Sequence, residues 1–425
     1  MTSTALCTDH YELTMLAAAL RDGTAERRCV FETFARRLPD GRRYGVVAGT
    51  GRLLEAIEAY RFDGDQLDYL AGTGVIDRPT RDWLAGYRFT GRVSGYAEGE
   101  LYFPGSPVLT VEGIFAEAVL LETLVLSVLN YDCAVASAAA RMVTAAAGRP
   151  LIEMGSRRTH EDAAVAAARA AYLAGFAGTS NLRAGREHGI PTLGTAAHAF
   201  TLVHDSEADA FRSQVDALGL GTTLLVDTYD ISQGVRTAIE VAGPSLGAIR
   251  IDSGDLGVLA QQTRALLDEL GATSTRIVLS GDLDEHSIAA LAAAPVDAYG
   301  AGTAVVTGSG APTAELIYKL VEVEGRPVAK RSEHKGTQGG RKVAVRRHKP
   351  TGTAVEEVLG RGAGPPAGAG DRALQRPLVE NGAVLAGLPG LTNAREHLRQ
   401  ALVTVPWEGL KLSRGEPAIP TMYLP

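Results

Sequence analysis

Residues 246–255 read LGAIRIDSGD, an apolar run that ends in charged and hydroxyl side chains. The same arrangement recurs along the middle of the chain, where short apolar runs alternate with amphipathic helical patterns. The runs lie at 150–154, 175–178, 190–194, 222–226, 246–251, 276–279 and 296–299, and the helical patterns at about 161–174, 206–218, 230–242, 255–270 and 284–294. Repeated strand–helix units predict a parallel sheet, because parallel neighbours need crossover helices. Seven or eight units fit either a closed β/α barrel or a doubly wound sheet.

Polar residues follow the apolar runs. They include Arg157, Ser180, Thr195, His198, Asp227, Arg250, Asp252, Ser253, Asp282 and Thr303. Turns that start helices are polar for capping alone, which explains Ser180 but not an arginine and a histidine among acids. In a barrel these strand ends meet on one face, where such enzymes place catalysis. We therefore predict one functional face.

Two late loops consist of small residues, at 280–282 and 300–303, and contain Gly281 and Gly302. Glycine lets backbone N–H groups approach a phosphate, and a following helix N-terminus favours the anion. These loops therefore predict a phosphate-binding region.

His198 lies among small residues, in the sequence Gly194-Thr195-Ala196-Ala197-His198. A single histidine in an apolar setting is often structural. Asp227, at the end of a later strand, favours a catalytic interpretation, because a carboxylate that accepts one ring N–H makes the other nitrogen a better nucleophile or base. His160 and His204 are interpreted as capping or surface groups.

Composition narrows the class of protein. The chain has 425 residues, 42 basic against 49 acidic residues and a net charge of −7, which disfavours nucleic-acid binding. Three scattered cysteines and no signal-like N-terminus predict a cytoplasmic location. The apolar stretch 115–140 contains three acidic residues, so we expect a buried helix rather than a membrane span. The first lysine is Lys319, so a site before it must hold anions with arginine, backbone amides or helix N-termini.

The flanking regions differ in pattern, and we predict three domains: 1–115, 116–330 and 331–425. The first shows a strand pattern at 30–34, a helical pattern at 53–60 and a small antiparallel sheet over 89–111. The last is rich in glycine and proline. Its basic segment 331–349 is interpreted as a solvated loop or linker, with its role left open.

Several short segments, in this order and spacing, resemble the nicotinate phosphoribosyltransferase family. They are Thr8–Met15, Gly155–Arg158, Gly178–Asn181, Gly194–His198, Asp227–Asp230, Arg250–Asp255 and Gly302–Thr303, and the similarity covers 1 to about 345. The resemblance implies an irregular α/β barrel with an N-terminal α/β sandwich-like domain and a C-terminal extension. It also implies that nicotinate is joined to phosphoribosyl pyrophosphate, giving nicotinate mononucleotide and pyrophosphate in NAD salvage. The resemblance further implies that ATP hydrolysis is coupled to this transfer through a phosphohistidine.

The resemblance also implies roles for individual residues. His198 matches the phosphorylated histidine and Asp227 its partner, while Tyr11 matches a ring-stacking residue that a homodimer's second subunit supplies. Arg250 and Thr195 match nicotinate contacts. The ribose and phosphate region matches Arg157, Gly281, Asp282, Gly302 and Thr303, and the carrying segment Arg250–Asp255 adds Asp252 and Ser253 as substrate-binding candidates.

The related nicotinamide enzyme has an acid where this sequence has Ser180, so the resemblance predicts a preference for nicotinate. Met154 stands where those relatives have an aromatic residue that stacks on the ring. Mg²⁺ is expected to accompany phosphoribosyl pyrophosphate and ATP, with no protein ligand assigned.

Two alternatives remain. One is the decarboxylating quinolinate phosphoribosyltransferase, which the absence of lysine before Lys319 disfavours. The other is a non-catalytic relative that kept the ligand pocket.

Overall fold

The first 146 residues combine short helices with strands of an antiparallel sheet. The structure, a computed structural model, describes residues 3–330, 338–362 and 364–424. The elements of this part are α1 (His10–Asp22), β1 (Arg28–Ala35), β2 (Gly45–Val46), α2 (Thr50–Ala59), α3 (Gly64–Gly72), α4 (Arg78–Ala85), β3 (Arg92–Tyr96), β4 (Leu101–Tyr102), β5 (Leu109–Ile114), α5 (Phe115–Val119) and α6 (Glu122–Ala146). Strand β1 and helix α2 confirm the predictions at 30–34 and 53–60.

The middle of the chain forms a parallel sheet with helical connections. Its elements are β6 (Leu151–Glu153), α7 (Glu161–Ala174), β7 (Gly178–Thr179), α8 (Leu182–His188), α9 (His198–Leu202), α10 (Glu207–Leu218), β8 (Thr223–Leu225), α11 (Ile231–Ala242), β9 (Ala248–Ile251), α12 (Leu256–Glu269), β10 (Arg276–Gly281), α13 (Glu285–Ala290), β11 (Ala298–Ala301) and α14 (Thr303–Val306). The six strands, in the order β7-β6-β11-β10-β9-β8, are all parallel and make a curled half-barrel. The α/β barrel prediction is confirmed in this form.

The sheet has fewer strands than the sequence pattern predicts. The run 190–194 makes one isolated bridge, between Thr179 and Thr192, instead of a strand. The prediction of a strand there is wrong, and this sheet contains six strands among the described residues. Pro191 explains part of this difference, because proline has no N–H to donate to a sheet ladder.

The helix ends follow the glycines that the sequence places there. Gly175, Gly219 and Gly243 are the C-caps of α7, α10 and α11. At the start of α7, His160 is the N-cap, and its Nδ1 accepts the backbone N–H of Asp162 at 3.3 Å. The capping interpretation of His160 is thereby confirmed.

The remainder of the chain adds strands to the N-terminal sheet. Its elements are β12 (Leu316–Val323), β13 (Arg326–Pro327), β14 (Lys342–His348), β15 (Ala354–Arg361), β16 (Arg372–Ala373), β17 (Gln375–Glu380), β18 (Ala383–Val384), α15 (Leu391–Thr404) and β19 (Thr421–Tyr423). A seven-stranded sheet has the order β13-β12-β1-β5-β3-β17-β18, so β3 and β5 belong to a larger sheet than the one predicted over 89–111, whereas β4 pairs with β2 in a separate two-stranded sheet. A second sheet has the order β16-β14-β15-β19.

This pairing determines the compact units of the structure. One unit comprises Met1–Ser137 and Ala311–Pro425, and the other comprises Ala138–Gly310. The division differs from three consecutive segments because β12 pairs antiparallel with β1, from Cys29 opposite Val323 to Ala35 opposite Leu316.

The basic segment 331–349 does not remain a loop throughout. Residues 331–337 lie outside the described residues, but 342–348 form β14. Lys342 donates to Glu32 at 2.7 Å, and Arg346, which is 1% exposed, donates to Glu100 at 2.6 Å and Glu357 at 2.7 Å. The solvated-loop interpretation is therefore wrong for 342–348, because acidic partners far away in sequence neutralise these cations.

The helical stretch 115–146 is long and apolar enough to cross a membrane by length and composition alone. However, 67% of its most apolar window is buried inside the protein. The prediction of a buried helix is confirmed.

Candidate active site

A cavity of about 620 Å³ lies at the carboxyl ends of the parallel strands. Its lining combines three arginines, two of them exposed, with one histidine, two acids and mostly small residues. The lining residues are Met154, Arg157, Arg158, Ser180, Leu193, Gly194, Thr195, Ala196, Ala197, His198, Arg250, Asp252, Ser280, Gly281, Asp282, Gly300, Gly302 and Thr303. Most of the residues predicted to bind substrate thus line one cavity.

Arg250 is the most enclosed cation of this cavity. It leaves β9 at the strand's last residues, its Nη1 donates to the Thr195 hydroxyl, and its Nη2 lies 3.8 Å from Asp252 Oδ1. Its buried Nε has no hydrogen-bond partner among the described residues. Burial lowers the pKa of Arg250, although the nearby carboxylates of Asp252 and Asp227 oppose this effect. The guanidinium still stays charged at neutral pH, so a donor is available for an anion.

His198 is the first residue of α9 and forms part of the cavity wall. Its Nδ1 lies 3.1 Å from the Thr228 hydroxyl, and its Nε2 lies 3.8 Å from Asp227 Oδ1. The second distance is within reach of an ion pair but too long for a hydrogen bond. The predicted pair therefore comes together, although Asp227 and the ring are not yet in hydrogen-bond contact.

Asp227 is anchored by only one of its oxygens. Oδ2 accepts the backbone N–H of Asp252 at 2.9 Å and the hydroxyl of Ser253 at 2.7 Å. Oδ1, the oxygen nearer His198, is buried with no hydrogen-bond partner in the described structure. Ser253 is thus committed to Asp227 and lies outside the cavity lining.

Glu153 organises two loops of the site from beneath. Its side chain is 1% exposed, and it accepts the backbone N–H of Gly155 and, at 2.5 Å, the hydroxyl of Thr179. Its backbone carbonyl accepts the N–H of Ser180 at 2.8 Å. Burial raises the pKa of Glu153, against the lowering effect of these hydrogen bonds. The loops after β6 and β7 are therefore held to one buried carboxyl group.

Glycines keep the floor of the cavity open. Gly281 has a φ of +127°, which few side chains tolerate. A Cβ at Gly300 would lie 2.8 Å from Met154 Sδ, so glycine there leaves room for the thioether. Asp282 and Thr303, both exposed, follow these strand ends.

Tyr11 belongs to the other compact unit, on α1, and is 45% exposed. Its hydroxyl is hydrogen-bonded to Glu122. Burial and then the Glu122 carboxylate raise its pKa, so the phenol is neutral at physiological pH. The cavity lining, drawn from residues 154–303, does not include it.

The sequence reasoning missed three contributors. Thr228 contacts the histidine, Glu153 ties two loops together, and Ser280 donates its hydroxyl to Asp252. Thr228 directly follows Asp227, and Ser280 directly precedes Gly281, so position beside a predicted residue was the available signal.

The fold and the cavity define an α/β half-barrel protein with an arginine-lined cavity at the ends of its strands. A family model of the nicotinate phosphoribosyltransferase N-terminal domain matches residues 6–130, and the nicotinate phosphoribosyltransferase family model matches 150–357. The chain belongs to the nicotinate phosphoribosyltransferase family, a family of enzymes, as its sequence predicts.

Individual relatives agree with this assignment. Nicotinate phosphoribosyltransferase pncB1 of Mycobacterium tuberculosis (strain H37Rv) is 62% identical over 429 residues, covering 99% of this chain and 95% of that protein. The Bos taurus nicotinate phosphoribosyltransferase is 30% identical, covering 93% and 90%. The crystal structure of human nicotinic acid phosphoribosyltransferase matches with a TM-score of 0.82 and 26% identity, covering 98% of this chain and 97% of that one.

Proposed function

We propose that this chain joins nicotinate to phosphoribosyl pyrophosphate, and that it couples this transfer to ATP hydrolysis through phosphorylated His198. The products are nicotinate mononucleotide and pyrophosphate, in NAD salvage. The observation that carries the coupling is the buried Oδ1 of Asp227, which has no hydrogen-bond partner among the described residues and lies beside a histidine on the cavity wall.

Arg250 is the group best suited to bind the carboxylate of nicotinate. It is charged and largely enclosed, and its Nε has no partner among the described residues. A charge-assisted hydrogen bond from arginine to a carboxylate is stronger than a neutral one. Arg157 and Arg158, both exposed on the same cavity, suit the phosphate groups of the sugar donor.

The transfer itself needs no base. The pyridine nitrogen attacks C1 of the ribose with its own lone pair, the bond from C1 to pyrophosphate breaks, and pyrophosphate leaves with the electrons. The protein's part is to position both substrates and to stabilise the departing charge.

A magnesium ion fits this cavity as a companion of the phosphates. No group of three or more His, Cys, Asp or Glu residues suited to a metal occurs among the described residues. One exposed carboxylate, Asp282, lines the cavity and offers the oxygen ligand that Mg²⁺ prefers. Bound there with phosphate oxygens, the ion supplies positive charge to the leaving pyrophosphate.

In the coupling step, a ring nitrogen of His198 attacks the γ-phosphorus of ATP. A P–N bond forms, the bond to the oxygen that bridges the β- and γ-phosphorus breaks, and ADP leaves with that electron pair. The imidazolium that results is positive, and Asp227, 3.8 Å away, is placed to stabilise it. Water later hydrolyses the phosphohistidine.

Labelling with γ-labelled ATP tests this step. We expect an acid-labile, base-stable label on the wild-type protein. The His198→Ala variant should lose the label and ATP hydrolysis and retain slow, uncoupled transfer. His204→Ala is the matched control, since that ring contacts the carbonyl of Phe200 at 2.7 Å and its aromatic ring, and is not part of the cavity lining. Full labelling of His198→Ala would overturn the proposal, and CO₂ release from quinolinate would indicate the decarboxylating alternative.

We propose further that the enzyme is a cytoplasmic homodimer in which Tyr11 of one subunit completes the site of the other. Free Cys7, Cys29 and Cys133 fit a reducing compartment. Mixing Tyr11→Ala with His198→Ala subunits tests the exchange, because one site of the mixed dimer would then be intact. Coupled activity above the sum of the two separate variants supports the proposal. If the dimers are shown to be mixed and the coupled activity still does not recover, the proposal is contradicted.

A further inference from the structure

The nitrogen of His198 that faces away from Asp227 has its own partner. Thr228 Oγ1 lies 3.1 Å from Nδ1. Thr228 is half-buried and sits between the end of β8 and the start of α11, directly after Asp227. One short segment therefore presents a polar group to each nitrogen of the ring.

The surroundings of Asp227 determine which ring nitrogen carries the proton. Oδ2 already accepts two hydrogen bonds, from Asp252 N–H and the Ser253 hydroxyl. The buried Oδ1 has no donor among the described residues, and Nε2 of His198 lies 3.8 Å from it. An ionised carboxylate can only accept, so a buried oxygen of this kind favours N–H on the nitrogen that faces it.

The neutral ring then has its lone pair on Nδ1. A hydroxyl can donate or accept, so at 3.1 Å from an unprotonated nitrogen it donates. The Thr228 hydroxyl thus completes the arrangement that Asp227 begins. Together the two groups specify both the tautomer and the rotation of the ring.

We propose that Thr228 is a positioning residue for the phosphorylation of His198, an inference that rests on the proposed function. Its hydroxyl holds Nδ1 as the unprotonated nitrogen and keeps Nε2 directed at Asp227. When Nδ1 forms its bond to the γ-phosphorus of ATP and ADP leaves, the hydroxyl releases Nδ1 and keeps its proton. Nε2 keeps its proton as well, and Asp227 faces the resulting positive charge.

Without the hydroxyl, rotation about the second side-chain torsion is less restricted. That torsion has a broad, roughly two-fold preference, and a half-turn puts carbon where each nitrogen was, because Nδ1 exchanges with Cδ2 and Nε2 with Cε1. Losing one neutral hydrogen bond corresponds to about a 3- to 10-fold change in an equilibrium or a rate. The ring would therefore occupy the reactive orientation for a smaller part of the time.

Two pairs of variants isolate the hydroxyl. Thr228→Val removes it at nearly constant volume, and Thr228→Ser keeps it without the methyl group. Thr228→Ala, compared with Thr228→Ser, repeats the test if the valine variant is unstable. We expect the Thr228→Val and Thr228→Ala proteins to take up label from γ-labelled ATP about 3- to 10-fold more slowly than the wild-type and Thr228→Ser proteins.

Nitrogen NMR of ¹⁵N-histidine-labelled protein without ATP provides a readout that does not depend on activity. In the wild-type and Thr228→Ser proteins, His198 should show one tautomer, with the proton on Nε2. In the Thr228→Val and Thr228→Ala proteins it should show a mixture of the two tautomers. If Thr228→Val and Thr228→Ala take up label as fast as the wild type and keep the same single tautomer of His198, the proposed role of Thr228 is overturned. If Thr228→Ser takes up label as slowly as Thr228→Val, the role is also overturned, because the slower labelling would then come from lost packing of the methyl group. Failure of the wild type to take up label would instead refute the ATP coupling on which the inference rests.

Discussion

Replacing Ser180 by aspartate tests how the cavity distinguishes nicotinate from nicotinamide. Ser180 is exposed on the wall of the 620 Å³ cavity that Arg250 also lines. Its backbone N–H is fixed to the Glu153 carbonyl at 2.8 Å, so a new side chain there starts from a defined position. A carboxylate at this position would face the cavity in which we propose that the carboxylate of nicotinate binds.

The size of the cavity limits the magnitude of the effect. A sphere of 620 Å³ is about 11 Å across, so two carboxylates inside it lie between about 4 and 10 Å apart. At an effective dielectric constant of ~20, their repulsion is about 4 kcal/mol at the short limit and about 1.7 kcal/mol at the long limit. The ratio of kcat/KM for nicotinate to that for nicotinamide should therefore fall by roughly 15-fold to 1,000-fold.

Steady-state kinetics with both substrates measure this ratio. Ser180→Asn is the control, because asparagine has the shape of aspartate without its charge. We expect Ser180→Asn to reduce kcat/KM for both substrates to a similar extent and Ser180→Asp to lower kcat/KM for nicotinate selectively. An unchanged preference in Ser180→Asp, or equal shifts in Asp and Asn, would show that charge at this position does not determine the choice.

Three further substitutions follow from the contacts. Burial opposes ionisation of Glu100, but His397 and two arginines hold its pKa well below the usual range. Its contribution to the free energy of unfolding is therefore present above the unfolded pKa of about 4.3 and is lost as pH falls. Glu100→Gln should lower the free energy of unfolding by about 3–5 kcal/mol in urea denaturation at pH 7 and should weaken the loss of stability at acidic pH. Burial raises the pKa of Glu153, so its contribution to stability is present below about pH 4.3 and is lost as pH rises. Glu153→Gln should remove this loss of stability when the melting temperature is measured at several pH values between 4 and 7. An unchanged slope of melting temperature against pH would contradict the raised pKa. Gly300→Ala brings a Cβ within 2.8 Å of Met154 Sδ; we expect a loss of about 1 kcal/mol in stability and a raised KM for nicotinate, and wild-type values for both would show that the thioether moves freely.

The sequence predicts the parallel sheet and its functional face because both depend on short-range patterns. An apolar run and a polar end occur within about 30 residues in each unit, and a glycine follows several of the helices; β9 followed by Asp252 is a clear instance of the polar end. Residues from different strand ends, such as Thr195 and Arg250, then meet because parallel strands finish at the same edge.

The sequence cannot show contacts that depend on distant pairing. Lys342 is buried against Glu32, which lies 310 residues earlier, and nothing near either residue marks them as partners. Arg346 likewise reaches Glu100 across 246 residues. A cluster of basic residues is typical of a solvated loop, and only the tertiary structure shows that Glu32 and Glu100 lie against Lys342 and Arg346.

The absence of lysine before Lys319 and the surroundings of Arg250 support the same physical argument. A lysine as enclosed as Arg250 could lose its proton, because burial lowers the pKa of an ammonium group by up to several units. Burial lowers the pKa of Arg250 too, but a guanidinium starts so far above neutrality that it remains charged. Arginine therefore lets the end of a strand carry a full positive charge away from bulk water, and its planar group matches a carboxylate with two parallel hydrogen bonds. An enclosed site for a small aromatic acid needs that combination, which explains why this cavity relies on arginine.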